Sequence, residues 1–151
     1  MPVSPDTAVA LGKLGAVCAI SMAAIGSALG TGAAGMAAVG AWKKCFAQNK
    51  DAPFMLVAFV GAPLTQTIYG MILMGAIQGA PDTVSMMARF GAGIFGGLAI
   101  GFSAWLQGKA GACASDALAE TGKGFGNYIM VLGVIETVAL FVMVFLMNAL
   151  G

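Results

Sequence analysis

One carboxylate, Glu136, stands alone in the apolar segment from Gly124 to Gly151. A charged carboxylate inside a bilayer-length apolar run costs about 2.5–3.5 kcal/mol on insertion scales, and a residue kept there is by default functional. A second apolar segment carries Thr65 and Gln66, with Tyr69 at i+4 from the first and i+3 from the second, so the three share one broad helix face. Pro63 lies just before them, removes a backbone N–H and leaves a carbonyl free to find another partner. Gln107, in a third segment, adds a further amide oxygen. A carboxylate, two amides, a hydroxyl and free carbonyls form a hard, all-oxygen donor set. Such a set suits a dehydrated hard cation, and one negative charge suits a monovalent ion better than Ca²⁺, which usually takes several carboxylates. An interhelical hydrogen bond would account for Thr65 or Gln66 alone, but not for the whole set with Glu136.

The composition narrows the remaining classes. Of 151 residues 60% are hydrophobic and 9% charged, with net charge +1 and no histidine, and the mean hydropathy is +0.94. Soluble domains carry about a quarter charged residues, so this is not an ordinary water-soluble globule. Near-neutrality argues against a nucleic-acid partner, which needs clustered Lys and Arg. Without histidine, His-based triads and His-metal sites are excluded. No nucleophile–base pair points to an enzyme. Cys18, Cys45 and Cys113 are odd in number and widely spaced, which reads as packing rather than as a disulfide framework or zinc site.

The charges divide the chain into membrane-crossing elements. Uncharged runs of 29, 30 and 19 residues lie between Lys13 and Lys43, Asp51 and Asp82, and Arg89 and Lys109. About 20 apolar residues suffice for a helix to cross the hydrocarbon. The expectation is an all-α membrane protein with four transmembrane helices, at about 12–42, 54–79, 87–114 and 124–149. They form two tandem helical hairpins, 1–82 and 83–151, within one membrane domain. Barrel strands are excluded by run length and by the lack of alternation. The N-terminus has Asp6 and no basic leader region, and reads as a short external tail. Lys43, Lys44, Lys50, Lys109 and Lys123 lie towards loops 1–2 and 3–4, against Lys13 and Arg89 on the other side. The positive-inside tendency then puts those loops in the cytoplasm and both termini outside.

An internal repeat supports the hairpins. An offset of 76 lays Ser27-Ala28 on Ser103-Ala104, Gly32 on Gly108, and Ala34-Gly35 on Ala110-Gly111; an offset of 70 lays Gln66 on Glu136 and Thr67 on Thr137. Both halves begin and end on the same side, so they are parallel repeats, unlike the inverted repeats of many secondary transporters. The first and third helices carry seven glycines each. Such density lets backbones approach closely, either in a monomeric bundle or, on the sharper reading, as the tightly curved inner wall of a ring of identical copies. The second and fourth helices, with Phe54, Phe59, Tyr69, Phe141 and Phe145, are bulky enough for an outer wall.

On these features the chain resembles, over about residues 12–150, the proteolipid (K or c) subunit of V-type ATPases, most closely the sodium-translocating bacterial branch. The resemblance is carried by the Pro63-Leu64-Thr65-Gln66-Thr67-Ile68-Tyr69-Gly70 segment, by Gln107-Gly108-Lys109-Ala110 and by Glu136-Thr137. It implies that Na⁺ is held by Glu136, Gln66, Gln107, Thr65 and the carbonyl of Ala62, with Tyr69 hydrogen-bonded to the carboxylate. Leu64 and Thr67 stand where other members can have glycine. It further implies a non-catalytic rotor subunit in the bacterial plasma membrane, in a ring of identical copies. The cytoplasmic loops would rest on the central stalk, and a stator membrane subunit would supply a basic residue. The same ring carrying H⁺ is the alternative, since a carboxylate alone suffices for a proton; a small proton-coupled secondary transporter is a remoter one.

Overall fold

The computed structural model describes residues 4–151. It holds four long helices: α1 (Pro5–Ala47), α2 (Leu56–Gly79), α3 (Met86–Thr121) and α4 (Phe125–Leu150), each long and apolar enough to cross a membrane. The fold is thus the expected all-α four-helix membrane architecture. α2 is not one regular helix. A 3₁₀ turn at Ala62–Leu64 interrupts it around Pro63, which lacks the N–H that a regular α-helix would use there.

The ends of α1 and α3 differ from the sequence expectation. α1 starts at Pro5 rather than near residue 12, so Asp6 to Lys13 are helix and not a tail; only Met1 to Val3 of that tail lie outside the described residues. The Ser4 hydroxyl accepts from the Thr7 N–H at 3.3 Å, and Asp6 in the first turn complements the positive helix end. At the other end α1 runs to Ala47 and α3 to Thr121, past the expected 42 and 114. Charged residues such as Lys43, Lys44 and Asp116 mark the edge of the apolar layer, but they are ordinary helix formers or tolerable at a helix surface and do not end the helix. What ends α3 is Gly122 at φ 67°. With Gly124 at φ 90°, it lets the chain reverse into α4 over three residues.

α1 and α3 pack backbone to backbone. A Cβ at Gly26 would collide with the Gly101 carbonyl, one at Gly93 with that of Gly15, and one at Gly108 with that of Gly30. The paired positions differ by 75 or 78 residues, so the helices run parallel, close to the register of the 76-residue sequence repeat. Glycine is required at these contacts, whereas Gly32, Gly40 and Gly91 meet open space. α2 and α4 pack against this pair. Two apolar clusters result. One gathers Ala19, Ala23, Leu73, Ile77, Ile100 and Met143; the other gathers Ala38, Leu56, Phe59, Leu118 and Leu132 at the opposite end. Between them lies a polar layer. Of the cysteines, Cys45 is buried as expected of a packing residue, while Cys113 is exposed.

Candidate ion-binding site

The polar layer brings every sequence-predicted site residue into one hydrogen-bond network. Beside Pro63 the Ala62 carbonyl is reached by the Thr65 hydroxyl at 2.9 Å, and that hydroxyl lies 3.1 Å from Gln66 Oε1. Gln66 Nε2 donates to Gln107 Oε1 at 2.7 Å, crossing from α2 to α3. Gln107 Nε2 then donates to Glu136 Oε2 at 3.1 Å and to the Leu132 carbonyl at 3.0 Å, crossing to α4. The Tyr69 hydroxyl closes the network by donating to Glu136 Oε1 at 2.6 Å. Three helices therefore converge on one carboxylate.

Local sequence explains the placement. The 3₁₀ turn tightens the chain so that Thr65 reaches back three residues to Ala62. Gln66 and Gly70 lie on the buried face of α2, and a Cβ at Gly70 would strike that of Ala23, so α2 lies close against α1 here. Gln107 sits on the buried stripe of α3 that includes Ser103 and Ala104. Both glutamines are fully buried, whereas Glu136, Thr65 and Tyr69 are half-buried. Buried amides need partners, and each glutamine has them. The carboxylate is the one ionisable member, and it lies at the partly open, α4 side of the layer.

Two contributors escape the sequence reading. The Leu132 carbonyl takes a side-chain donor, and Ser103 donates to the Ile135 carbonyl at 2.8 Å, bracing α3 against the turn that carries Glu136. A backbone acceptor leaves no mark in residue type. Ser103 carries one signal, since the repeat places it on Ser27. The two halves are not equivalent in this respect, because the Ser27 hydroxyl and that of Thr31, the repeat counterpart of Gln107, are buried without a partner. Lys109, beside the network, lies 4.8 Å over the Trp105 ring in a cation–π contact.

Among the described residues no group of three or more His, Cys, Asp or Glu side chains comes together. Any cation in this layer would be held mostly by neutral oxygens, with Glu136 as its sole formal counter-charge. That donor chemistry fits a hard monovalent ion better than a transition metal or Ca²⁺.

Comparison with known proteins agrees with the architecture. The family model for the ATP synthase C subunit matches residues 90–147, which cover most of α3 and nearly all of α4. The chain is also similar to the A-type ATP synthase subunit K of Methanocaldococcus jannaschii, with 34% identity over 131 residues, covering 87% of this chain. It spans 57% of the length of that relative. With four apolar helices in a parallel duplicated arrangement, the chain is similar to the V/A-type proteolipids of the ATP synthase C-subunit family.

Proposed function

We propose that this chain is the ion-carrying rotor subunit of a V/A-type rotary ATPase, and that its cargo is Na⁺ bound at Glu136. The observation that carries the reading is that five residues able to offer an oxygen, Ala62, Thr65, Gln66, Gln107 and Glu136, are gathered in one polar layer by hydrogen bonds of 2.7–3.1 Å. A proton needs only the carboxylate. Four further oxygens, two of them on fully buried glutamines, are explained by a dehydrated metal cation.

The chemistry of the carboxylate supplies the cycle. An ionised Glu136 is costly against lipid, so each copy crosses the lipid-exposed arc of a ring only when its charge is neutralised. Tyr69 and Gln107 each donate to one carboxylate oxygen and hold it in place. A basic residue on a stator subunit would compete for the carboxylate and release the ion into an aqueous path. The half-buried position of Glu136 on the α4 side gives that residue its approach. Copies pack as a ring with α1 and α3 inside, and loops 1–2 and 3–4 meet the central stalk on the cytoplasmic side. Each translocated ion couples to about 2.3 kcal/mol per 100 mV of potential. Because Gln66 stands at the repeat position of Glu136, there is one ionisable site per four helices. Fewer ions per turn favour building a steep gradient over ATP synthesis.

Carbodiimide labelling of Glu136 in the purified oligomer tests this, at fixed pH, with added Na⁺ and with K⁺ as control. The reagent attacks the protonated carboxyl. Protection by Na⁺ but not K⁺ is the expected result; labelling that follows pH alone would make the cargo a proton.

A further inference from the structure

The only two basic residues near the end of the bundle opposite loops 1–2 and 3–4, among the described residues, line the same groove. Lys13 of α1 and Arg89 of α3 border a cavity of about 510 Å³ whose other walls include Val9, Val17, Ile77 and Gln78. Arg89 is 8% exposed, yet its Nε has no hydrogen-bond partner. Its Nη2 donates to the Ala80 and Pro81 carbonyls, both at 2.9 Å, and these hold the guanidinium at the groove's edge. The nearest carboxylate, Asp82, is 4.0 Å from Nη2 and fully exposed to solvent, and Asp6 is exposed as well. Asp82 makes a long, solvent-screened ion pair with Arg89, so the two basic groups leave the groove with a net positive charge.

Depth identifies the anion. α4 runs 14 residues from Glu136 to Leu150, about 21 Å along a helix axis. The following Gly151 packs on Pro81, whose carbonyl Arg89 holds. Half the hydrocarbon core is about 15 Å, so with Glu136 near mid-membrane this groove opens at headgroup level. At that level the abundant anions are lipid phosphates, and the apolar walls of Val9, Val17 and Ile77 suit the first methylenes of an acyl chain.

We propose that Lys13 and Arg89 bind the phosphate of an anionic phospholipid in this groove. The proposal rests on the membrane architecture and not on the identity of the transported ion. Native mass spectrometry of the purified full-chain oligomer, equilibrated with phosphatidylglycerol, phosphatidylcholine or inorganic phosphate, reads it directly. The wild type should retain phosphatidylglycerol in preference to phosphatidylcholine. Lys13→Gln should lower that retention about fivefold, the weight of one basic residue at an anionic surface. Arg89→Lys should keep more lipid than Arg89→Gln. Should Arg89→Gln fail to fold for loss of its loop contacts, exposed Lys13 still decides the matter. Equal retention of both lipids, competition by inorganic phosphate as effective as by phosphatidylglycerol, or unchanged retention in Lys13→Gln would each overturn the proposal. So would a lipid-free oligomer that Lys13→Gln destabilises, which would assign the groove to a carboxylate of a neighbouring copy.

Discussion

The side-chain amide of Gln107 lies 3.0 Å from the carbonyl oxygen of Leu132. A carbonyl only accepts, so the atom facing it must be the amide nitrogen. The direction of the whole network follows. Gln107 must turn its oxygen to Gln66, Gln66 must answer with its nitrogen, and the Gln66 oxygen is left facing Thr65 and, through it, Ala62. One backbone acceptor on α4 thus orients oxygen donors on α2.

Replacing Gln107 by Leu removes a donor to Glu136 and strands the buried Gln66 amide. The Na⁺ concentration that half-protects Glu136 from carbodiimide should rise about 10–100-fold, the usual cost of losing an orienting partner. Thermal unfolding should show a loss of about 1–3 kcal/mol for the unpaired amide. Unchanged protection would remove Gln107 from the ligand set.

Thr65→Val is nearly isosteric and separates the two candidate ions. Without its hydroxyl the half-protecting Na⁺ concentration should rise about tenfold, in line with one lost charge-assisted contact. The pH dependence of labelling measured without Na⁺ should stay where it was. A shift in that pH dependence with Na⁺ protection intact would reverse the assignment.

Tyr69→Phe deletes the 2.6 Å bond to Glu136 Oε1 and leaves the ring in place. A hydrogen bond to a charged group contributes about 1.5–3 kcal/mol, so Na⁺ protection should weaken by at least about tenfold while the oligomer persists. Labelling rates at fixed pH, with and without Na⁺, measure it.

If Na⁺ binds at Glu136 as proposed, protons compete with it for the same carboxylate, which sets the sign of the pH dependence. Protonation removes the charge that attracts the cation, so the half-protecting Na⁺ concentration should rise as pH falls, approaching about tenfold per pH unit at the acid end. Titrating Na⁺ protection at several pH values checks the slope; a flat profile would place the ion away from Glu136.

Gly26→Val should abolish assembly, because any Cβ at that position meets the Gly101 carbonyl, a main-chain atom that no rotamer change can move. Gly32→Ala faces open space within the protomer and should fold normally. Size-exclusion profiles and thermal unfolding of the two variants provide the comparison.

Much of the site is legible in the sequence, for a physical reason. In apolar runs a polar side chain is costly, so Glu136, Gln66 and Gln107 stand out against their neighbours, and Pro63 announces a disturbed turn. Features made by the backbone are not legible. The Leu132 carbonyl has no residue-type signature, and α1 and α3 outrun their expected ends because loss of hydropathy marks where a membrane stops, not where a helix does. Arg89 reads in the sequence only as a charge on one side. Its burial depends on the loop carbonyls of Ala80 and Pro81 folding back over it, a contact across eight or nine residues with no periodic pattern.

The glycine seam between α1 and α3 has a mechanical consequence. Where main chain touches main chain, no side chains can change rotamer or shear past one another, and the contact has the low compressibility of a close-packed interior. In the proposed rotor ring, torque applied at α2 and α4 would therefore pass to α1 and α3 with little twist stored in between. Elastic compliance in that proposed ring would lie elsewhere, in the joints between copies.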